Sequence, residues 1–101
     1  NISYKENFVL EYDKSRLSKE FGITTIWLRY LYNPPEIANG VKITKFIQKA
    51  QLDCKKQKIA FLSGYAYFET SLISGGENTR LEWNDVIPDS NGEAIYSIAC
   101  N

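Results

Sequence analysis

Apolar and polar residues alternate along most of this chain, with a period of two. In NFVLEYD, residues 7–13, Phe8, Leu10 and Tyr12 fall on one side and Val9, Glu11 and Asp13 on the other, as in a half-buried strand. KSRLSKEFG follows, polar and ending in Gly22, and reads as a short turn or connecting loop. ITTIWLRYLY then puts Ile26, Leu28, Tyr30 and Tyr32 on one face and Thr25, Trp27, Arg29 and Leu31 on the other. Its β-branched and aromatic content makes it the strongest strand signal in the chain. Pro34 and Pro35 are expected to end it, because proline cannot donate to a ladder.

Asn39-Gly40 suits the positive backbone angles of a tight hairpin turn. Beyond it, KITKFIQKAQLDC predicts a strand with Phe46, Ala50, Leu52 and Cys54 on one face. Lys45, Lys49, Gln51 and Asp53 mark the wet side, which Ile43 and Ile47 share. After the charged connector CKKQK, the nearly continuous apolar run of IAFLSGYAYFET suggests a central strand. Gly64 within it marks a bulge or a close backbone approach. SGGEN, residues 74–78, reads as a turn, and LEWNDVIP as a short extended piece.

The period changes at the C-terminus. Ser90-Asn91-Gly92-Glu93 fits a capping box, in which serine and glutamate each satisfy an orphan amide at a helix start. Ala94, Ile95, Ile98 and Ala99 follow at helical spacing. A helix of about ten residues is marginal alone in water, so it has to be held by packing on the sheet. Residues 1–101 are thus expected to form a single α+β domain. Its core is an antiparallel meander of four to five strands, with the C-terminal helix packed on one face.

Composition narrows the class. The aromatic fraction of 14% and apolar fraction of 44% are those of a globular protein. The formal net charge is zero, which argues against a nucleic-acid partner. No run approaches the length of a membrane span. The sequence given begins at Asn1, which suits removal of an upstream export segment. Two cysteines, Cys54 and Cys100, leave open one disulfide or two buried free thiols. A bridge would close a long loop and stabilise by about 4 kcal/mol in the loop-entropy model. The bridge is the expectation, and it places the chain outside the reducing cytoplasm, in the periplasm, at the cell surface or secreted.

Catalytic chemistry is sparse. The absence of histidine removes the commonest general base and every triad that needs one. FLSGYA lacks the nucleophile-elbow pattern around Ser63, and SGGEN lacks the Lys-Ser/Thr that a phosphate loop requires. The carboxylate pairs Glu82/Asp85 and Glu11/Asp13 read as solvated faces, and no metal site or cofactor is expected. The uneven feature is a basic stretch. Lys42, Lys45, Lys49, Lys55 and Lys56, followed by Lys58, are the candidate partner-binding residues. The simplest reading is a solvated strand with lysines guarding an edge. The sharper one is a contact patch for an acidic partner or a polyanion such as a glycan. Tyr30, Tyr32, Tyr65, Tyr67 and Tyr96 divide between packing and exposed recognition in a way that sequence does not sort.

The order of these features resembles a known family. Tyr12-Asp13, a basic polar stretch and Gly22 precede a tryptophan-bearing strand at Trp27. Leu52-Asp53-Cys54-Lys55-Lys56 comes next, then Tyr67, then Trp83 with Val86-Ile87-Pro88-Asp89-Ser90, and finally Tyr96 and Cys100. The pattern is similar to the surface-adhesin protein E family of Gram-negative envelope proteins, over about residues 8–100. The resemblance implies a small antiparallel sheet with a C-terminal helix, a Cys–Cys bridge and an exported, often lipid-anchored protein associated with virulence. Members of that family bind host matrix and serum proteins such as vitronectin and laminin, and some bind haem. With no histidine in this chain, only tyrosine could ligate haem here. The expectation is a non-enzymatic, extracytoplasmic binding domain that contacts host matrix or serum proteins and touches a membrane only through a lipid anchor. The alternative is a structural or accessory envelope protein that self-associates, for instance as a homodimer through an edge strand.

Overall fold

A computed structural model describes residues 2–3 and 8–101. Its strands are β1 (Ile2–Ser3), β2 (Phe8–Tyr12), β3 (Ser18–Glu20), β4 (Ile23–Ala38), β5 (Val41–Asp53), β6 (Lys58–Phe68), β7 (Ser71–Glu77) and β8 (Asn84–Asp85). One helix, α1 (Asn91–Cys100), ends the chain. All the strands belong to one antiparallel sheet of order β1-β2-β4-β5-β6-β7, with β3 beside β4 and β8 beside β6. The five longer members β2, β4, β5, β6 and β7 run as a meander in chain order, four of them where the sequence pattern predicts and β7 where it does not.

Strands β4 and β5 form the spine. Their register pairs Ile26 with Ala50 and Thr24 with Leu52, so these residues share one face. On that face lies a buried cluster of Leu10, Ile26, Leu28, Ala50, Leu52 and Ile59, closed by Ile95 and Ala99 of α1. The helix begins at the expected N-cap, with the serine half of the capping box in place. Ser90 Oγ accepts from the Glu93 amide at 3.3 Å, while Glu93 Oε1 accepts from the Asp89 amide at 2.9 Å. The glutamate therefore reaches one residue further back than the N-cap itself.

Three ties fasten the far end of this helix. Cys54, immediately after β5, is disulfide-bonded to Cys100 across a Cα–Cα distance of 5.5 Å. Tyr96 donates its hydroxyl to the Cys54 carbonyl at 2.7 Å, and Thr24 Oγ1 donates to the Ala99 carbonyl at 3.1 Å. Ten residues of helix cannot hold themselves in water, and these bonds anchor them to the central strands.

Two local expectations are corrected. Pro34 and Pro35 do not end the strand, because β4 continues to Ala38. The pairing with β5 lapses between Leu31 and Glu36, so the missing proline amides fall where no ladder bond is required. Ser74–Asn78 is not a turn, because residues 74–77 lie within β7. The reversal comes earlier, at Glu69 and Thr70, with Glu69 at φ 55°. Gly75 serves packing instead, while a Cβ on Gly76 would meet open space. A Cβ on Gly75 would lie 2.5 Å from Tyr65 Cδ1, so the tyrosine ring occupies the space a side chain would take. Gly64 has the same purpose in β6, where a Cβ would meet the Phe46 ring at 2.6 Å.

The stretch between β2 and β4 is more ordered than a loop. Asp13 caps a single 3-10 turn at Lys14–Arg16, accepting from the Ser15 amide at 3.0 Å. That turn interrupts the outer edge of β4, which pairs with β2 over Leu28–Tyr32 and with β3 over Ile23–Thr25.

Candidate functional site

Among the described residues, α1 covers one face of the sheet at the Ile23–Leu28 end, and no helix covers the other face. On that open face the register sets Trp27 beside Lys49, Arg29 beside Ile47, and Leu31 beside Lys45. Lys45 continues to Tyr67, Ile47 to Tyr65 and Lys49 to Ser63 on β6. Trp27, Ile47, Tyr65 and Tyr67 are all half-buried on it.

The two lysines are held down on this surface. Lys45 Nζ lies 4.5 Å from the Tyr67 ring centroid, and Lys49 Nζ lies 5.4 Å from that of Trp27. An ammonium over an aromatic face is attracted by the ring quadrupole, and its stem covers apolar surface on the way. Each lysine therefore starts from a restricted set of positions. Neither has a carboxylate within ion-pair distance among the described residues.

Beside this row lies a half-open groove of about 570 Å³. Trp27, Arg29 and Ile47 form its floor, and Glu11 through Arg16, including the 3-10 turn, form its wall. Its two carboxylates are already engaged. Arg29 donates through Nε to Glu11 at 2.8 Å, and Arg16 lies 3.7 Å from Asp13. The Ser15 hydroxyl, donating to Asp13 at 2.6 Å, is the main reason that this carboxyl is held below its usual value of 3.8. Among the described residues, Lys14 is left as a cation without an ion pair on the groove wall.

The structure divides the basic stretch. Lys45 and Lys49 share the open face. Lys42 alternates onto the opposite side near the hairpin tip, opposite Ile37. Lys55 and Lys56 sit in the exposed turn after β5, and Lys58 pairs with Asp85 at 2.7 Å. Trp27, Arg29, Lys14 and Arg16 join Lys45 and Lys49, and the charge pattern did not single them out. Only the cross-strand register brings them together, and sequence spacing does not encode it.

The aromatic residues on the helix-bearing face have another role. Phe8, Tyr30, Tyr32 and Phe46 cluster beyond the reach of α1, with Tyr30 5.8 Å from Phe8 and 5.9 Å from Phe46. Tyr30 donates to Gln48 Oε1 at 2.9 Å, and burial pushes its hydroxyl up to about 12. Ser63 is buried, and its hydroxyl has no hydrogen-bond partner among the described residues. Among the described residues no group of cysteine, aspartate or glutamate is arranged to hold a metal ion.

The sequence as a whole matches a family model, surface-adhesin protein E, over residues 1–101. The chain belongs to that family. No curated protein and no solved structure matches it. Membership makes this an adhesin-like surface protein with an extracytoplasmic location, and the Cys54–Cys100 bridge agrees with a non-reducing compartment. It also points to binding of a protein or a host surface. No helix among the described residues is long and apolar enough to cross a membrane.

Proposed function

We propose that this surface-adhesin protein E domain is a non-enzymatic binding module that docks host matrix or serum proteins on its open sheet face. One observation carries the reading: the face opposite α1 presents half-buried Trp27, Tyr65 and Tyr67 among cations, with no helix over them among the described residues. Aromatic and basic side chains are the types that dominate binding energy when a partner desolvates them. A sheet also provides a rigid platform on which such anchors are pre-positioned. The test is capture of immobilised vitronectin and laminin by the purified domain, with a Trp27→Ala/Tyr67→Ala variant alongside. Retention at micromolar concentration that the double variant abolishes supports the reading. No retention of the intact domain at that concentration overturns it.

A second reading, self-association, is favoured by β7. All seven of its residues are exposed, and it ends the strand order of the sheet. A free edge is a template for a further strand. Light scattering coupled to size exclusion, at dilute and concentrated loading, decides this: a constant monomer mass removes it.

A further inference from the structure

We propose that the open face carries a binding track for a linear acidic polysaccharide, engaged through its carboxylate or sulfate groups by Lys45 and Lys49. This deepens the binding reading given above and rests on the same face being the docking surface.

Charge in the middle of the face favours an anion. Across the face and its groove, the carboxylates of Glu11 and Asp13 are each taken by an arginine. Among the described residues there, Lys14, Lys45 and Lys49 have no ion pair. Further acidic residues lie in the end row of the face, where the register aligns Glu20, Ile23, Asp53, Lys58 and Asp85. The electropositive part is thereby the middle of the face, around Lys45 and Lys49. Glu77 closes the Lys49 row at β7, two strands away, so the positive strip is confined to β4 and β5.

Spacing favours a repeating anion. Lys45 and Lys49 are four residues apart on one strand, which places their Cα atoms about 13 Å apart along the sheet. Arg29 lies in the Ile47 row between them and is held by Glu11. Two unpaired ammonium groups along a flat line match a ligand with repeating negative charge better than a single anion. Past Lys49 the line continues with Gln51 and Thr25, hydrogen-bonded to each other at 3.2 Å and half-buried. Neutral amide and hydroxyl groups at that point offer partners for sugar hydroxyls.

Other polyanions fit this face less well. An acidic peptide docking on a sheet usually takes an edge, where its backbone completes a ladder, and this track crosses the middle of the sheet. Single-stranded nucleic acid relies on stacking against free ring faces. Here the Tyr67 and Trp27 rings already lie beneath ammonium groups. They serve to position the lysines.

The experiment measures binding of the full chain to a heparin-type oligosaccharide and to an unsulfated polyuronate. Neutral dextran, poly-glutamate and single-stranded DNA are the competitors, at low and raised salt. The expected result is salt-sensitive binding to one or both acidic polysaccharides and none to dextran. A Lys45→Gln/Lys49→Gln variant should lose about tenfold or more in affinity, the scale of a lost charge-assisted hydrogen bond, and show a flatter salt dependence. Lys55→Gln/Lys56→Gln, in the turn away from this face, should change affinity by less than about twofold. The proposal is overturned by absence of polysaccharide binding, by equal loss in both variants, or by poly-glutamate or DNA binding as tightly. Capture of matrix protein stripped of its glycans distinguishes the two readings. If it persists while polysaccharide binding is absent, the docking function stands and the glycan track falls.

Discussion

The Thr24 hydroxyl donates to the carbonyl of Ala99 at 3.1 Å, joining the start of β4 to the last turn of α1 inside the core. Thr24 is 2% exposed, so water cannot replace this bond. The last carbonyls of any helix lack intrahelical partners, and here a strand side chain supplies one. Thr24→Val, which keeps the shape and removes the donor, should cost about 1–3 kcal/mol in urea unfolding. An unchanged midpoint would show that the carbonyl finds another partner.

The disulfide fixes the same helix end covalently. Cys54 and Cys100 are 46 residues apart, a loop whose closure stabilises by about 4 kcal/mol in the entropy model. A Cys54→Ser/Cys100→Ser variant should lose a comparable amount while keeping strand content. The helical part of its circular dichroism should melt first, because only the packing of Ile95 and Ala99 and the Tyr96 and Thr24 hydrogen bonds then hold α1. Coincident loss of helix and sheet at an unchanged temperature would contradict this account.

Phe21 pays a conformational cost with little visible return. It is 96% exposed and sits at φ 53°, with Gly22 at φ 78°, in the hairpin between β3 and β4. A bulky side chain in the left-handed region is disfavoured by roughly 1 kcal/mol or more, whereas asparagine tolerates it. Phe21→Asn should therefore raise stability by about 1 kcal/mol, read from the denaturation midpoint. A loss of stability would show that the ring makes a contact that outweighs the strain.

Alkaline pH should loosen the aromatic cluster. Burial, and then the neighbouring Tyr32, raise the Tyr30 hydroxyl from 10.0 to about 12. The protonated form is the one the folded state favours. Its contribution is complete below pH 10 and is lost as pH rises toward 12, where the unfolded chain has already ionised. Unfolding followed across that window should show stability falling by about 2 kcal/mol. Tyr30→Phe should reduce the slope. A smaller fall should remain from Tyr32, which burial and Glu36 shift in the same direction. A slope unchanged by Tyr30→Phe would assign the effect elsewhere.

Where a rule is local, sequence and structure agree. The two faces of β4 and β5 follow from strict alternation, and Asn39-Gly40 turns the chain as that pair should. The Ser90/Glu93 cap starts the helix at the expected place. The failures come where a distant partner decides. Gly75 and Gly76 look like a turn until Tyr65 is seen leaning over the first of them. Pro34 and Pro35 look like a stop until the ladder is seen to lapse around them. Phe21 gives no turn signal because phenylalanine is a poor choice for the conformation it adopts.

The candidate site divides in the same way. The lysine-rich stretch is visible in the chain, and so is the wet side of its strand. That Lys49 lies over Trp27 and Lys45 over Tyr67 depends on pairing between strands 22 residues apart in each case. By itself the sequence determined the alternation, the cap, the two thiols and hence an α+β sheet with a tethered helix, because each of these rests on backbone periodicity or local chemistry. Only the tertiary structure decided which face α1 covers and which cations stand together on the face left open. Register is set by how whole strands pack, and no short stretch of residues carries that information.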